Sequence, residues 1–232
     1  MSIDTFVEEI FQHITIKETE YGDCYYWPRN DQYCWQGLNS TTITPDRIAQ
    51  YVDKRSCVIQ AGGNAGFYIK KYAEMFDRVY TFEPDPLNFF CLNANTVNHP
   101  NVIKFQACVG NERKIANIEM HNQDFGGIHV FEGVTEVSKF NMTHKIGVPV
   151  MLIDDLSVES CDLLQLDTEG YEYYALLGAE KTIDQFRPII CIEHVWSESR
   201  YGIKLATIEE FLSKWNYKLI DSFEADRVYK AQ

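Results

Sequence analysis

The stretch Val58-Ile59-Gln60-Ala61-Gly62-Gly63-Asn64-Ala65-Gly66-Phe67-Tyr68 decides the fold. Cys57-Val58-Ile59 is a short apolar run of the kind that forms a buried strand. The turn Ala61–Gly66 lets the backbone approach a ligand without a Cβ in the way. The helix expected from Phe67 to about Phe76 then aims its free N–H groups and positive dipole end at the same place. Strand, glycine turn and helix together predict a nucleotide-type site in an α/β domain.

Two ligands suit such a turn, and the glycine positions separate them. A dinucleotide site needs three glycines, the second and third admitting the pyrophosphate and packing helix on strand. Counted from Gly62, the second and third positions hold Asn64 and Phe67. The remaining Gly62/Gly66 spacing suits S-adenosylmethionine (SAM) better. Glu83 adds to this: it ends the next strand, where a carboxylate can accept hydrogen bonds from both ribose hydroxyls.

Working outward, strands and helices alternate. Val79–Phe82 reads as a strand ended by Glu83-Pro84-Asp85-Pro86, then come a helix from Leu87 to about Val97 and a strand at Val102–Cys108. The pattern changes at Lys114–His121 and Ile146–Ile153, two strands separated by a long polar stretch. It resumes with a strand at Asp162–Asp167, a helix around Tyr171–Ala179 and a strand at Pro188–His194. Thr207-Ile208-Glu209-Glu210 has capping-box spacing and predicts a helix start. Tyr217–Ser222 and Arg227–Ala231 suit a closing antiparallel pair. The expected architecture is a doubly wound, mostly parallel sheet with that C-terminal pair, binding its ligand beyond the strands' carboxyl ends.

Residues 45–232 are assigned to this one domain, and 1–44 to an aromatic-rich leader packing on it. Phe6, Ile10, Phe11 and Ile14 stand at helical spacing, while Tyr21 to Trp35 reads as an irregular packed segment. The 232 residues carry a net charge of −13 and no basic cluster longer than Lys70-Lys71, which makes nucleic acid an unlikely partner. Seven cysteines without a CxxC pair read as reduced core residues, which points to the cytoplasm. The start lacks signal-peptide character and no apolar run reaches the roughly 20 residues of a membrane span.

The chain resembles the FkbM-type SAM-dependent methyltransferases from about Cys57 to Glu193. The resemblance lies in VIQAGGNAGFY (58–68), YTFEPDPLNFFCLNAN (80–95), QACVGNE (106–112), LIDDL (152–156), CDLLQLDTEGYEYYALLGAE (161–180) and RPIICIEH (187–194). It implies the class I methyltransferase (Rossmann-like) fold, SAM as methyl donor and, usually, methylation of a hydroxyl oxygen. It also implies that Gly62, Asn64, Gly66 and Glu83 line the cofactor, with Asp85 and Ala107-Cys108 near the adenine. Gln60 stands where most relatives carry an acid that organises the methionine end, so weaker cofactor binding or a catalytically silent binding protein is the alternative. Gly63 replaces a residue that is usually Ala.

Methyl transfer to a hydroxyl gains from alignment and from a base that takes the proton. Asp167 and Glu169, after the fourth parallel strand, and His194, after the fifth, are the catalytic candidates. Asp154, Asp155, Asp167, Glu193 and His194 offer metal-ligand atoms, but no dedicated metal motif appears and none is expected. Asn122, in the loop 121–127, and Trp196 are candidates for holding a small-molecule or carbohydrate acceptor, the tryptophan by stacking.

Overall fold

The structure, a computed structural model, describes residue 9 and residues 11–40, 44–121, 125–131 and 142–232. Ile14–Glu18 (β1) and Cys24–Pro28 (β2) pair as an antiparallel hairpin, followed by the helices Cys34–Ser40 (α1) and Thr44–Ala49 (α2). Then come Cys57–Ala61 (β3), Phe67–Met75 (α3), Arg78–Phe82 (β4), Pro86–Asn95 (α4) and Val102–Phe105 (β5). Cys108–Val109 (β6), Lys114–His121 (β7), His129–Val130 (β8) and Met142–Met151 (β9) form a separate four-stranded sheet. After a 3₁₀ turn at Ile153–Leu156, Leu163–Leu166 (β10) leads to the helices Glu172–Leu177 (α5) and Glu180–Phe186 (α6). Ile189–Glu193 (β11), the helices Ser197–Tyr201 (α7) and Leu205–Ser213 (α8), and the strands Tyr217–Phe223 (β12) and Asp226–Ala231 (β13) complete the chain.

The central sheet has seven strands in the order β12-β13-β11-β10-β3-β4-β5. The five neighbouring strands β11-β10-β3-β4-β5 run parallel, with β5 at one edge, and β13 and β12 close the other side antiparallel. Chain order reverses between β3 and β10, so the crevice beyond their carboxyl ends is the switch point where ligands of such sheets bind. Both faces are covered, as the continuous apolar strands require. Ile59, Leu164, Leu166, Ile190 and Ile192 pack against Ala175, Leu176, Ile183, Phe211 and Leu212, while Val58, Leu163, Ile189 and Cys191 pack against Ile48, Ile69 and Tyr72.

The differences from the sequence expectation have local causes. Ile14 is in strand β1, and Tyr21–Trp35 holds strand β2, not an irregular run: the aromatic side chains alternate across the strand, with Tyr25 and Trp27 buried. Phe6 and Ile10 lie outside the described residues. Helix α8 starts at Leu205, so Thr207 is inside it and caps nothing. The 171–186 region is two helices, divided at Gly178, where a Cβ would collide with the carbonyl of Gly110. Among the described residues, which include all seven cysteines, no disulfide forms, and five of the seven are buried. Among the described residues, no helix is long and apolar enough to cross a membrane.

Candidate active site

A cavity of about 620 Å³ opens at the carboxyl ends of β3, β4, β10 and β11. One end is lined by Gly62, Gly63, Asn64, Glu83 and Pro84, with Ala107, Cys108 and Val109 alongside. The other holds Asp167, Glu169, Glu193 and Asp226 with Trp196 and Arg200. A volume of this size suits a drug-sized ligand.

The cofactor end is built around glycine geometry. Gly62 has φ +88°, and a Cβ there would overlap the backbone carbonyl of Asp167, so only glycine fits. Asn64, also left-handed at φ 47°, donates its N–H to Glu83 Oε2 at 2.7 Å, and the Asp85 N–H donates to Oε1 at 2.8 Å. The Asn88 side chain also donates to Glu83, and the acceptor capacity that remains is open to a ribose hydroxyl. Burial, then the charge of Asp85, pushes the Glu83 carboxyl up to about 8, against the pull of its N–H donors.

Three of the predicted cofactor residues stand behind this surface and not on it. Gln60 is 1% exposed and is not among the lining residues. Its Nε2 donates to the carbonyls of Ala61 and Gly62, and its Oε1 accepts from Thr81 Oγ1 at 2.9 Å. It braces the turn from below. The same threonine explains Gly63, since a Cβ there would lie 2.5 Å from Thr81 Oγ1. Asp85 is fully buried and caps α4 through the N–H groups of Leu87 and Asn88. Gly66 packs on Leu92 and Thr96, holding α3 against α4.

At the other end, the carboxylate oxygens of Asp167, Glu169 and Glu193 lie within 4.8 Å of one another, close enough to hold a metal ion. No motif announces this, because Glu193 arrives from a different strand. Burial first, then Glu169 and Asp226, raises the Asp167 carboxyl well above its usual range. The neighbouring Asp167 charge, then burial, pushes Glu193 up to about 10. Asp167 and Glu193 hydrogen-bond through their side chains, so the pair holds a proton between them. Burial brings Glu169 up to about 8 and Asp226 up to about 6.

Glu169 has φ +58° and is clamped by Arg200, whose Nη1 donates to its carbonyl at 2.6 Å and to Oε2 at 2.8 Å. Arg200 also lies over the Trp196 ring at 4.8 Å. Glu172 is turned away: its Oε1 accepts from the N–H groups of Thr168 and Gly170, and its Oε2 from Ser197. His194 is not a lining residue. Its N–H donates to the Ala225 carbonyl, and its Nε2 is buried without a partner among the described residues. The strand alternation that brings Glu193 to the cavity takes His194 off it. Asn122 lies outside the described residues.

Further lining residues come from outside the central sheet. Tyr33, Cys34 and Gly37 come from the leader, and Phe125 to Val130 from β8 and the segment leading into it. Arg200 stands in a five-residue helix with no surrounding motif.

Residues 60–219 match the methyltransferase FkbM domain family. Among solved structures, methyltransferase FkbM from Methylobacillus flagellatus KT aligns with a TM-score of 0.50 at 17% identity, over 84% of this chain and 52% of that one. The chain thus spans about half the length of that protein. Trm5b from Pyrococcus abyssi aligns with a TM-score of 0.50 at 13% identity, over 94% of this chain and 54% of that one. No curated protein matches the sequence. The match takes in the end of β3, the glycine turn, Glu83 and the acids Asp167, Glu169 and Glu193, and the strand order is that of the class I methyltransferases. The chain belongs to the FkbM methyltransferase domain family.

Proposed function

We infer that the protein is a SAM-dependent methyltransferase that methylates a hydroxyl on a small molecule or glycan. The observation that carries this is one continuous cavity joining the Gly62–Glu83 cradle to the Asp167–Glu193 pair. The residues present fit SAM: a glycine turn with no room for a Cβ, and a buried carboxylate with acceptor capacity left for a ribose hydroxyl. When bound, SAM supplies an electrophilic methyl group.

The chain's part is alignment and proton handling. Gly62 and Asn64 would hold the donor, and Glu83 would accept from its ribose hydroxyls. The backbone carbonyl of Asp167 packs against the glycine turn and the residue lines the cavity, which supports a role for its carboxyl beside the methyl donor. The Asp167–Glu193 pair, raised in proton affinity by burial and by the acids around it, takes the proton of the acceptor hydroxyl at a carboxylate oxygen. Arg200 partly offsets the charge of Glu169 beside that pair. Trp196, 43% exposed, offers a stacking face to a sugar or another flat acceptor.

A silent binding protein is disfavoured by the place of Gln60. Its amide supports the turn and does not face the cavity, so the missing negative charge is not missing from the ligand surface. Incubation with methyl-labelled SAM and panels of hydroxylated acceptors tests the proposal. Labelled product with matching release of S-adenosylhomocysteine supports it, and binding without turnover on every class would leave only the silent protein.

A further inference from the structure

The family match begins at residue 60, yet the cavity is partly walled by Tyr33, Cys34 and Gly37. The leader is fastened to both helices that flank the glycine turn. Tyr25 stacks on Phe67 of α3 at 5.0 Å, and Trp35 meets the same ring edge-on at 6.0 Å. Tyr26 exchanges two hydrogen bonds with Asn95 of α4, whose Nδ2 also reaches the Ala65 carbonyl at 2.7 Å. Asp31 fixes the entry to α1 by accepting from the N–H groups of Cys34 and Trp35 and from Trp27 Nε1.

Asn64 links this wall to the ribose acid. Its backbone N–H donates to Glu83, while its side-chain Nδ2 donates to Cys34 Sγ at 3.5 Å and to the Phe125 carbonyl at 3.2 Å. Its Oδ1 accepts from the Ala65 N–H at 2.6 Å, which fixes the orientation of the amide. Asn88 donates to the same Phe125 carbonyl at 2.8 Å. One residue therefore touches the candidate ribose acid, the leader and the segment leading into β8.

We propose that the leader is a working part of this site: the Tyr33–Gly37 turn walls the cavity on the ribose side of the cofactor, and Asn64 is the positioning residue that couples this wall to Glu83. The proposal rests on the SAM assignment above. A ligand engaging Glu83 restrains the Asn64 backbone, and the Asn64 amide passes that restraint to Cys34 and Phe125. The leader is then a determinant of cofactor retention and not a cover for the sheet edge alone.

Hydrogen exchange read by mass spectrometry, with and without saturating S-adenosylhomocysteine, tests it on the full chain. In the parent, amides of residues 31–37 and of residues 60–66 are both expected to slow by roughly threefold or more. Asn64→Gly keeps the left-handed backbone and the N–H to Glu83 but deletes both side-chain links. It should slow exchange at 60–66 only, with affinity for S-adenosylhomocysteine about five- to tenfold weaker. Tyr33→Ala, at a residue 55% exposed, should weaken binding with no change in melting temperature. Protection of 60–66 with unchanged exchange at 31–37 in the parent overturns the proposal and leaves the cofactor assignment standing. Failure of S-adenosylhomocysteine to bind the parent overturns both. The parent decides either way, so poor folding of Asn64→Gly cannot rescue the proposal.

Discussion

The backbone carbonyl of Asp167 lies against Gly62 so closely that a methyl group on Gly62 would occupy its space. The two residues end adjacent parallel strands, β10 and β3, so the contact joins the donor cradle to the acidic cluster at the centre of the sheet. Gly62→Ala should therefore cost folding stability by about 3 kcal/mol, from left-handed strain together with the clash. Denaturant unfolding measures this directly, and a cost below about 1 kcal/mol would mean that the strand ends are not held as described.

Gln60→Glu separates a brace from a ligand. An acid there would set a carboxylate oxygen against the Ala61 and Gly62 carbonyls that Nε2 now serves. The variant is expected to lose about 2 kcal/mol of stability and to gain no SAM affinity. Tighter SAM binding in Gln60→Glu would show that the residue acts on the ligand after all.

The acidic cavity sets a pH dependence with a definite sign. Glu83, Glu169, Glu193 and Asp226 all titrate above the ordinary carboxylate range, at about 8, 8, 10 and 6. Above pH of roughly 4.5 the folded chain keeps protons that the unfolded chain releases, so stability falls as pH rises through that window. The melting temperature without ligand should drop by about 5 °C between pH 5 and 8. Glu193→Gln should flatten this slope, and a slope unchanged in that variant would remove Glu193 from the cluster's titration.

Asp167→Asn should slow methyl transfer by about a hundredfold while leaving SAM affinity within about twofold, because it removes the base without touching the ribose contacts. Single-turnover rates beside calorimetric affinities distinguish the two effects. Equal loss of both would assign Asp167 to binding.

Most of the central sheet was legible because period and punctuation agreed: apolar strands of four or five residues, each closed by a glycine or proline turn at Gly62 and Glu83-Pro84. The leader was not, since its aromatic residues fit a packed coil as well as the hairpin that buries Tyr25 and Trp27. Gly62, Glu83 and Asp167 stand at strand ends that the sequence marks, and all three line the cavity. Gln60 and His194 do not line the cavity, because a side chain's face follows the alternation up to the strand's last residue, and the local sequence does not fix where that end falls. Arg200 reaches the cavity only through tertiary packing and left no local mark.

The central claim is that the glycine turn and Glu83 bind SAM, and titration calorimetry on the parent chain and on Glu83→Ala tests it most directly. The parent should bind SAM and not NAD, and Glu83→Ala should bind SAM at least about thirtyfold more weakly, through loss of charge-assisted bonds to the ribose. NAD binding without SAM binding, or equal SAM affinity in the two proteins, would contradict the account.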